Sequence, residues 1–109
     1  MKWRVRTLNA RVDAELQSLR PELKARFLHI CSLLEEYGLH AVGAPHVRHL
    51  VGKLWEMRMR DVQGIARAIY VTRQGRVIVV VHVFEKKSQK TPRSAIELAV
   101  TRLKEFEDD

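Results

Sequence analysis

The sequence predicts one α+β domain of order β-α-α-β-β-β-α, with a small, mainly antiparallel sheet packed on helices. Three observations lead there. At 109 residues the chain has room for one core, so residues 1–109 read as a single domain. Its 46% apolar and 30% charged residues suit a folded globular domain and exclude a disordered one. Apolar spacing is helical in the first third, alternates in the middle, and turns helical again at the end.

Residues 3–7 alternate, with Trp3, Val5 and Thr7 on one face and Arg4 and Arg6 on the other. Asn9 is placed to cap a short helix carrying Val12, Leu16 and Leu19 on one stripe. Pro21 suits the first turn of a second helix, where a missing N–H costs nothing. Leu23, Phe27, Ile30, Leu34 and Tyr37 recur every three or four residues until Gly38 stops them. Residues 39–52, punctuated by Gly43, Pro45 and Gly52, read as a loop.

Three strands follow. Residues 54–60 put Trp55, Met57 and Met59 on one face and Glu56, Arg58 and Arg60 on the other. Residues 61–64 turn into a strand at 65–72, and Gln74-Gly75 turns the chain into a β-branched run at 77–84. Short connections imply an antiparallel meander. Thr91-Pro92, a capping residue and a first-turn proline, opens a last helix with Ile96, Ala99, Leu103 and Phe106 as its stripe. Helices cannot cover both faces of so small a sheet, so Arg58 and Arg60 are expected on its partly open face.

The formal net charge is +7, and its placement matters more than its size. Between Arg48 and Arg93 stand 11 Lys/Arg against 3 Asp/Glu, a balance of +8, while the rest carries 9 basic and 10 acidic residues. A field so concentrated favours a polyanion such as nucleic acid, against the plainer reading of a generally basic surface. Cys31 is the one cysteine, which excludes an intramolecular disulfide framework. The N-terminus lacks the apolar stretch of a signal peptide, and the longest apolar run, residues 77–81, is too short to span a bilayer. A soluble, cytoplasmic protein with no membrane role is expected. His40, His46 and His49 with Cys31 match no standard zinc spacing, so neither metal nor cofactor is expected. A Gly-rich phosphate loop, a Gly-x-Ser-x-Gly elbow and paired carboxylates in the basic region are all missing from the sequence.

Four segments fall in phase with the predicted strands: Lys53-Leu54-Trp55-Glu56-Met57-Arg58, Ala66-Arg67-Ala68-Ile69-Tyr70, His82-Val83-Phe84-Glu85-Lys86-Lys87, and Ser88-Gln89-Lys90-Thr91-Pro92. In this order they resemble the phage-derived, HigB-like branch of the RelE/ParE toxin superfamily, over roughly residues 48–100. The resemblance implies a RelE-like fold and the toxin of a type II toxin–antitoxin system. Such a toxin cuts mRNA in the ribosomal A site without a metal and is held inactive by a cognate antitoxin, often of helix-turn-helix type. The RNA 2′-hydroxyl attacks the adjacent phosphate and leaves a 2′,3′-cyclic end.

Under that resemblance the residues take physical roles. Arg58 and Arg67, charged and able to fork onto phosphate, suit the phosphoryl oxygens. Lys86 or Lys87 is the base, since crowding among cations lowers a lysine's pKa. His82 is the acid or an orienting group. Lys53, Arg60 and Lys90 hold RNA backbone, and Phe84 stacks on a base. Each has a plainer reading: Arg58 paired with Glu56 across solvent, His82 a satisfied half-buried histidine, Lys86 and Lys87 edge guards, Phe84 core. Trp55, Met57 and Met59 read as core.

The sequence also departs from the family. Ser88 stands where threonine is usual, Ala66 and Ala68 are small, and Tyr37 and Tyr70 are the only tyrosines, so no tyrosine lies near the chain end. Two alternatives share the scaffold or the charge: a ParE-like gyrase inhibitor, and a non-enzymatic basic nucleic-acid-binding phage accessory protein.

Overall fold

The computed structural model describes residues 2–39, 41–43, 46–85 and 90–108. Strand β1 (Arg4–Thr7) leads into helix α1 (Ala10–Gln17), whose Asn9 cap accepts the Val12 N–H at 3.2 Å. Helix α2 (Pro21–Tyr37) starts on Pro21 and ends at Gly38, which has φ +85°. A side chain at Gly38 would be strained at that φ and would meet the Trp3 indole at 2.9 Å.

The expected loop at 39–52 contains a strand, β2 (Val47–Val51), joined by a two-residue hairpin to β3 (Leu54–Asp61). This corrects the reading from sequence. The segment is short, and exposed Arg48 and His49 stand at its centre, so its alternation is weak; pairing with β3 decides its conformation. Strands β4 (Gly64–Arg73) and β5 (Val77–Glu85) follow, then helix α3 (Arg93–Asp108). Among the described residues these make an α+β fold with a five-stranded sheet of order β1-β5-β4-β3-β2, antiparallel except where β1 pairs parallel with β5.

Helices α1 and α2 bury one face of the sheet. Val12, Leu23, Phe27, Ile30 and Leu34 pack on Met57, Met59, Ala68, Tyr70 and Val80, the faces that alternation assigns to the core. Met57 and Met59 are fully buried, while Trp55 is partly so. Helix α3 crosses part of the other face, laying Ala95, Ala99 and Leu103 on Ile69, Val71, Val79 and Val81. Arginines occupy the remainder of that second face.

Two ion-pair arrangements lock the layers. Arg20, at the α1–α2 junction, grips Asp61 with both terminal nitrogens (2.6 and 2.9 Å) and Glu85 through Nε (2.9 Å). This fork holds the Asp61 carboxyl down to about 2 and ties the β3–β4 hairpin to the end of β5. Beyond Val80, β5 continues past the last pair with β1. There Glu15 of α1 accepts the Val83 N–H at 2.9 Å, and Arg102 of α3 donates to Val81 O at 3.0 Å. Arg102 and Glu15 also pair with each other at 2.8 and 3.0 Å. A charged clamp thereby satisfies the backbone of an exposed strand edge and joins helices from opposite faces. Among the described residues no helix is long and apolar enough to cross a membrane.

Candidate active site

Strand register sets the site. Arg58 of β3 stands opposite Arg67 of β4, which stands opposite Phe84 of β5. One rung along, Glu56, Ile69 and His82 line up in the same way, and Arg48 of β2 stands opposite Glu56. Side chains on one face of paired strands meet across the rungs, so four strands deliver Arg48, Glu56, Arg58, Arg67 and Phe84 to one patch.

A bulge in β5 makes this possible. Ile69 pairs with His82 but Tyr70 pairs with Val80, leaving Val81 as an extra residue. The insertion inverts the phase of the strand. Ile78, Val80 and Val83 therefore face α1 and α2, while Val81 and Phe84 join the opposite cluster. Strict alternation from Ile78 would have carried His82 and Phe84 into the core beneath α1 and α2.

Glu56 is the hub, and it is fully buried. Its Oε1 lies 2.9 Å from Arg48 Nε and 3.6 Å from Arg58 Nε, and its Oε2 lies 3.9 Å from Arg67 Nε. The Thr91 hydroxyl donates to Oε2. Thr91 was expected to cap α3; instead Pro92 O accepts the first bonds of the helix, from Ala95 and Ile96, and Thr91 anchors the entry of α3 to the hub. The pairing of Arg58 with Glu56 is an interior contact, not one across solvent.

Arg67 is also fully buried. Burial pushes its guanidinium below the ordinary arginine value; Glu56 opposes that, and Arg58, Arg48 and Arg60 add to it. At an effective dielectric of about 20, two unit charges about 4 Å apart interact by about 4 kcal/mol. One carboxylate cannot offset three guanidiniums, so this corner of the sheet carries excess positive charge where a further anion would be stabilised.

The other expected site residues fall at varying distances from this centre. His82 lies on β5 with Nδ1 3.1 Å from both Glu15 oxygens and 3.3 Å from Arg102 Nη1. Its ring stacks on Phe84 at 4.9 Å between centroids. Arg60 is exposed two residues beyond Arg58, and Lys90 is exposed directly before Thr91. Lys53 sits in the β2–β3 turn, five residues from Arg58 and so roughly 16 Å away along the strand; it is not gathered with the rest. Lys86 and Lys87 lie outside the described residues. Among the described residues no group of His, Cys, Asp and Glu side chains is arranged to hold a metal.

Sequence reasoning passed over Glu56 as a hub, and over Arg48 and Thr91 as its partners. The alternation of Glu56 with Arg58 and Arg60 was the available signal for the first. Arg48 required recognition of β2, and Thr91 required the tertiary position of α3.

Residues 14–104 match the family described as "Phage derived protein Gp49-like (DUF891)". Among solved structures, the chain is similar to one from the archaeal RelE-RelB complex of Pyrococcus horikoshii OT3. The two are 25% identical with a TM-score of 0.60, and the alignment covers 83% of this chain and 100% of that one. No curated protein matches.

Proposed function

Because the chain belongs to the phage-derived Gp49-like family within the RelE toxin superfamily, we propose that it is the toxin of a toxin–antitoxin pair and a metal-independent endoribonuclease that cuts mRNA on the ribosome. The observation that carries this reading is the rung Arg58–Arg67–Phe84, in which partly exposed Arg58 stands beside fully buried Arg67 and both guanidiniums flank the buried Glu56 carboxylate.

In that reaction the 2′-hydroxyl oxygen forms a bond to phosphorus as the bond to the 5′-oxygen breaks. The products are a 2′,3′-cyclic phosphate and a free 5′-hydroxyl. Arg58 meets the phosphoryl oxygens as charge develops on them, and Arg67, fully buried beside it, adds its positive field from within the sheet; Glu56 preorganises both. Lys86 or Lys87 accepts the 2′-hydroxyl proton, and solvent water protonates the leaving 5′-oxygen. His82, engaged by Glu15 and stacked on Phe84, serves the orienting role better than the acid role. Phe84 offers a ring to a base, while Arg60, Lys90 and the more distant Lys53 act on the RNA backbone.

The RelE chain to which this protein is similar was solved with RelB, which supports a protein partner here; a helix-turn-helix antitoxin is the type we propose. Expression without that partner tests the reading. Growth should stop, protein synthesis should fall before DNA replication does, and cleaved mRNA should accumulate. Folded Arg67→Ala and Lys86→Ala/Lys87→Ala variants should be inert. Arrest that begins with DNA replication and leaves mRNA intact would instead identify a gyrase-directed inhibitor, and normal growth would remove toxicity altogether.

A further inference from the structure

Strand β2 begins at Val47, but β3 runs on to Asp61. Arg58 N–H donates to His46 O at 2.8 Å, and by strand alternation the next N–H on that edge is that of Arg60. A recess of about 290 Å³ opens beyond the start of β2, between β3 and α2. Its floor is apolar, from Ile30 and Met59. Its walls are Arg26 and His29 of α2, His46, and Arg58 and Arg60 of β3.

Three guanidiniums and two imidazoles converge on one concavity, and among the described residues no acidic side chain lines it. The neighbouring Asp61 is gripped by Arg20. Arginine suits phosphate by its fork of donors, and three such groups around a concavity with no acid in its lining favour an anion there. Arg58 belongs both to this recess and to the Glu56 hub. A chain lying across the arginine rung can therefore continue over the β3 edge without leaving positive charge.

We propose that this recess is a phosphate subsite, holding a backbone phosphate of the RNA strand next to the one placed on Arg58. The proposal rests on the endoribonuclease reading and adds Arg26, His29 and His46, on the helical side of the sheet, to the RNA path.

The test uses the full chain and a series of single-stranded RNAs of increasing length, each with a 2′-deoxy nucleotide at the cleavage point so that it binds uncut. Arg26→Ala/His29→Ala is the informative variant, because both residues are exposed on α2 and alanine favours helix. Arg11→Ala, exposed on α1, controls for loss of net charge. In the wild-type chain the longer RNAs should bind more tightly than the shortest. The double variant should lose that gain, binding them about tenfold more weakly, with a salt slope shallower by about 0.7 for one lost single-strand phosphate contact. Arg11→Ala should behave as wild type. Equal affinity and slope in the double variant and the wild type would overturn the subsite while leaving the nuclease reading intact. Equal weakening by Arg11→Ala would reduce the effect to general charge and overturn it as well. Failure of the wild-type chain to bind any of the RNAs would likewise overturn the subsite, whereas the nuclease reading, which places cleavage on the ribosome, fails only if expression leaves mRNA intact.

Discussion

At the free edge of β5, Glu15 meets one guanidinium, Arg102, with His82 and the Val83 N–H as its other partners. On the face of β3, Glu56 meets three guanidiniums and a hydroxyl. The first set is close to charge-balanced, and its contacts satisfy the strand backbone or join two helices. The second leaves like charges opposite one another on adjacent strands, an arrangement that destabilises a sheet. Both sites tie a carboxylate to arginine, but one satisfies the fold while the other strains it. Proteins tolerate such strain where a ligand relieves it, which is why the Glu56 patch is the better candidate for chemistry.

That contrast can be broken experimentally, beginning with the largest effect. Arg67→Ala should lower mRNA cleavage by about 10²–10³-fold, the usual consequence of removing one preorganised donor. Its denaturation midpoint should fall by less than that of Glu56→Gln, since relief of like-charge crowding offsets part of the cavity left by so large a buried side chain. A folded variant that still cleaves at the wild-type rate would place the chemistry elsewhere.

Glu56→Gln should cost more stability than Arg67→Ala. Removing the shared carboxylate leaves buried Arg67 beside Arg58 and Arg48 without its countercharge, at a cost of about 3 kcal/mol in urea denaturation. An unchanged midpoint would mean that Glu56 does not hold the cluster together.

Arg102→Ala should cost about 2 kcal/mol, less than a fully buried pair because the Glu15 side chain is 21% exposed. Cleavage per folded molecule should change far less than in Arg67→Ala. A loss of cleavage comparable with that of Arg67→Ala would erase the distinction between the two sites.

The smallest effect concerns acid. Burial raises the Glu15 carboxyl, but hydrogen bonds from Arg102, the Val83 N–H and His82 outweigh it and hold the group below its ordinary value of 4.5. A folded-state pKa below the unfolded one adds stability above about pH 4.5, which fades as pH falls through the folded value. Glu15→Gln should therefore start less stable at neutral pH and decline less steeply on acidification. Parallel acid profiles for the two proteins would show that Glu15 titrates alike in the folded and unfolded chains.

Much of the fold was legible because it rests on local pattern. Asn9, Pro21 and Gly38 mark helix ends through backbone chemistry that acts within a few residues. Trp55, Met57 and Met59 announced which face of β3 turns inward, and the adjacency of Arg58 to Arg67 follows once a tight turn joins their strands. β2 escaped notice because a short edge strand with charged residues carries little periodic signal until its partner is present.

The sequence by itself determined the helices, four of the five strands (β1 and β3 to β5), and the concentration of arginine on a sheet face, since these depend on spacing and charge along the chain. Only the tertiary structure decided that Val81 bulges out and turns His82 and Phe84 to the open face. It likewise decided that Thr91 leaves its helix to bind Glu56, and that Arg26 and His29 close a recess with Arg58 and Arg60. A bulge and a long-range ion pair are settled by packing between segments far apart in the chain, where periodicity carries no information.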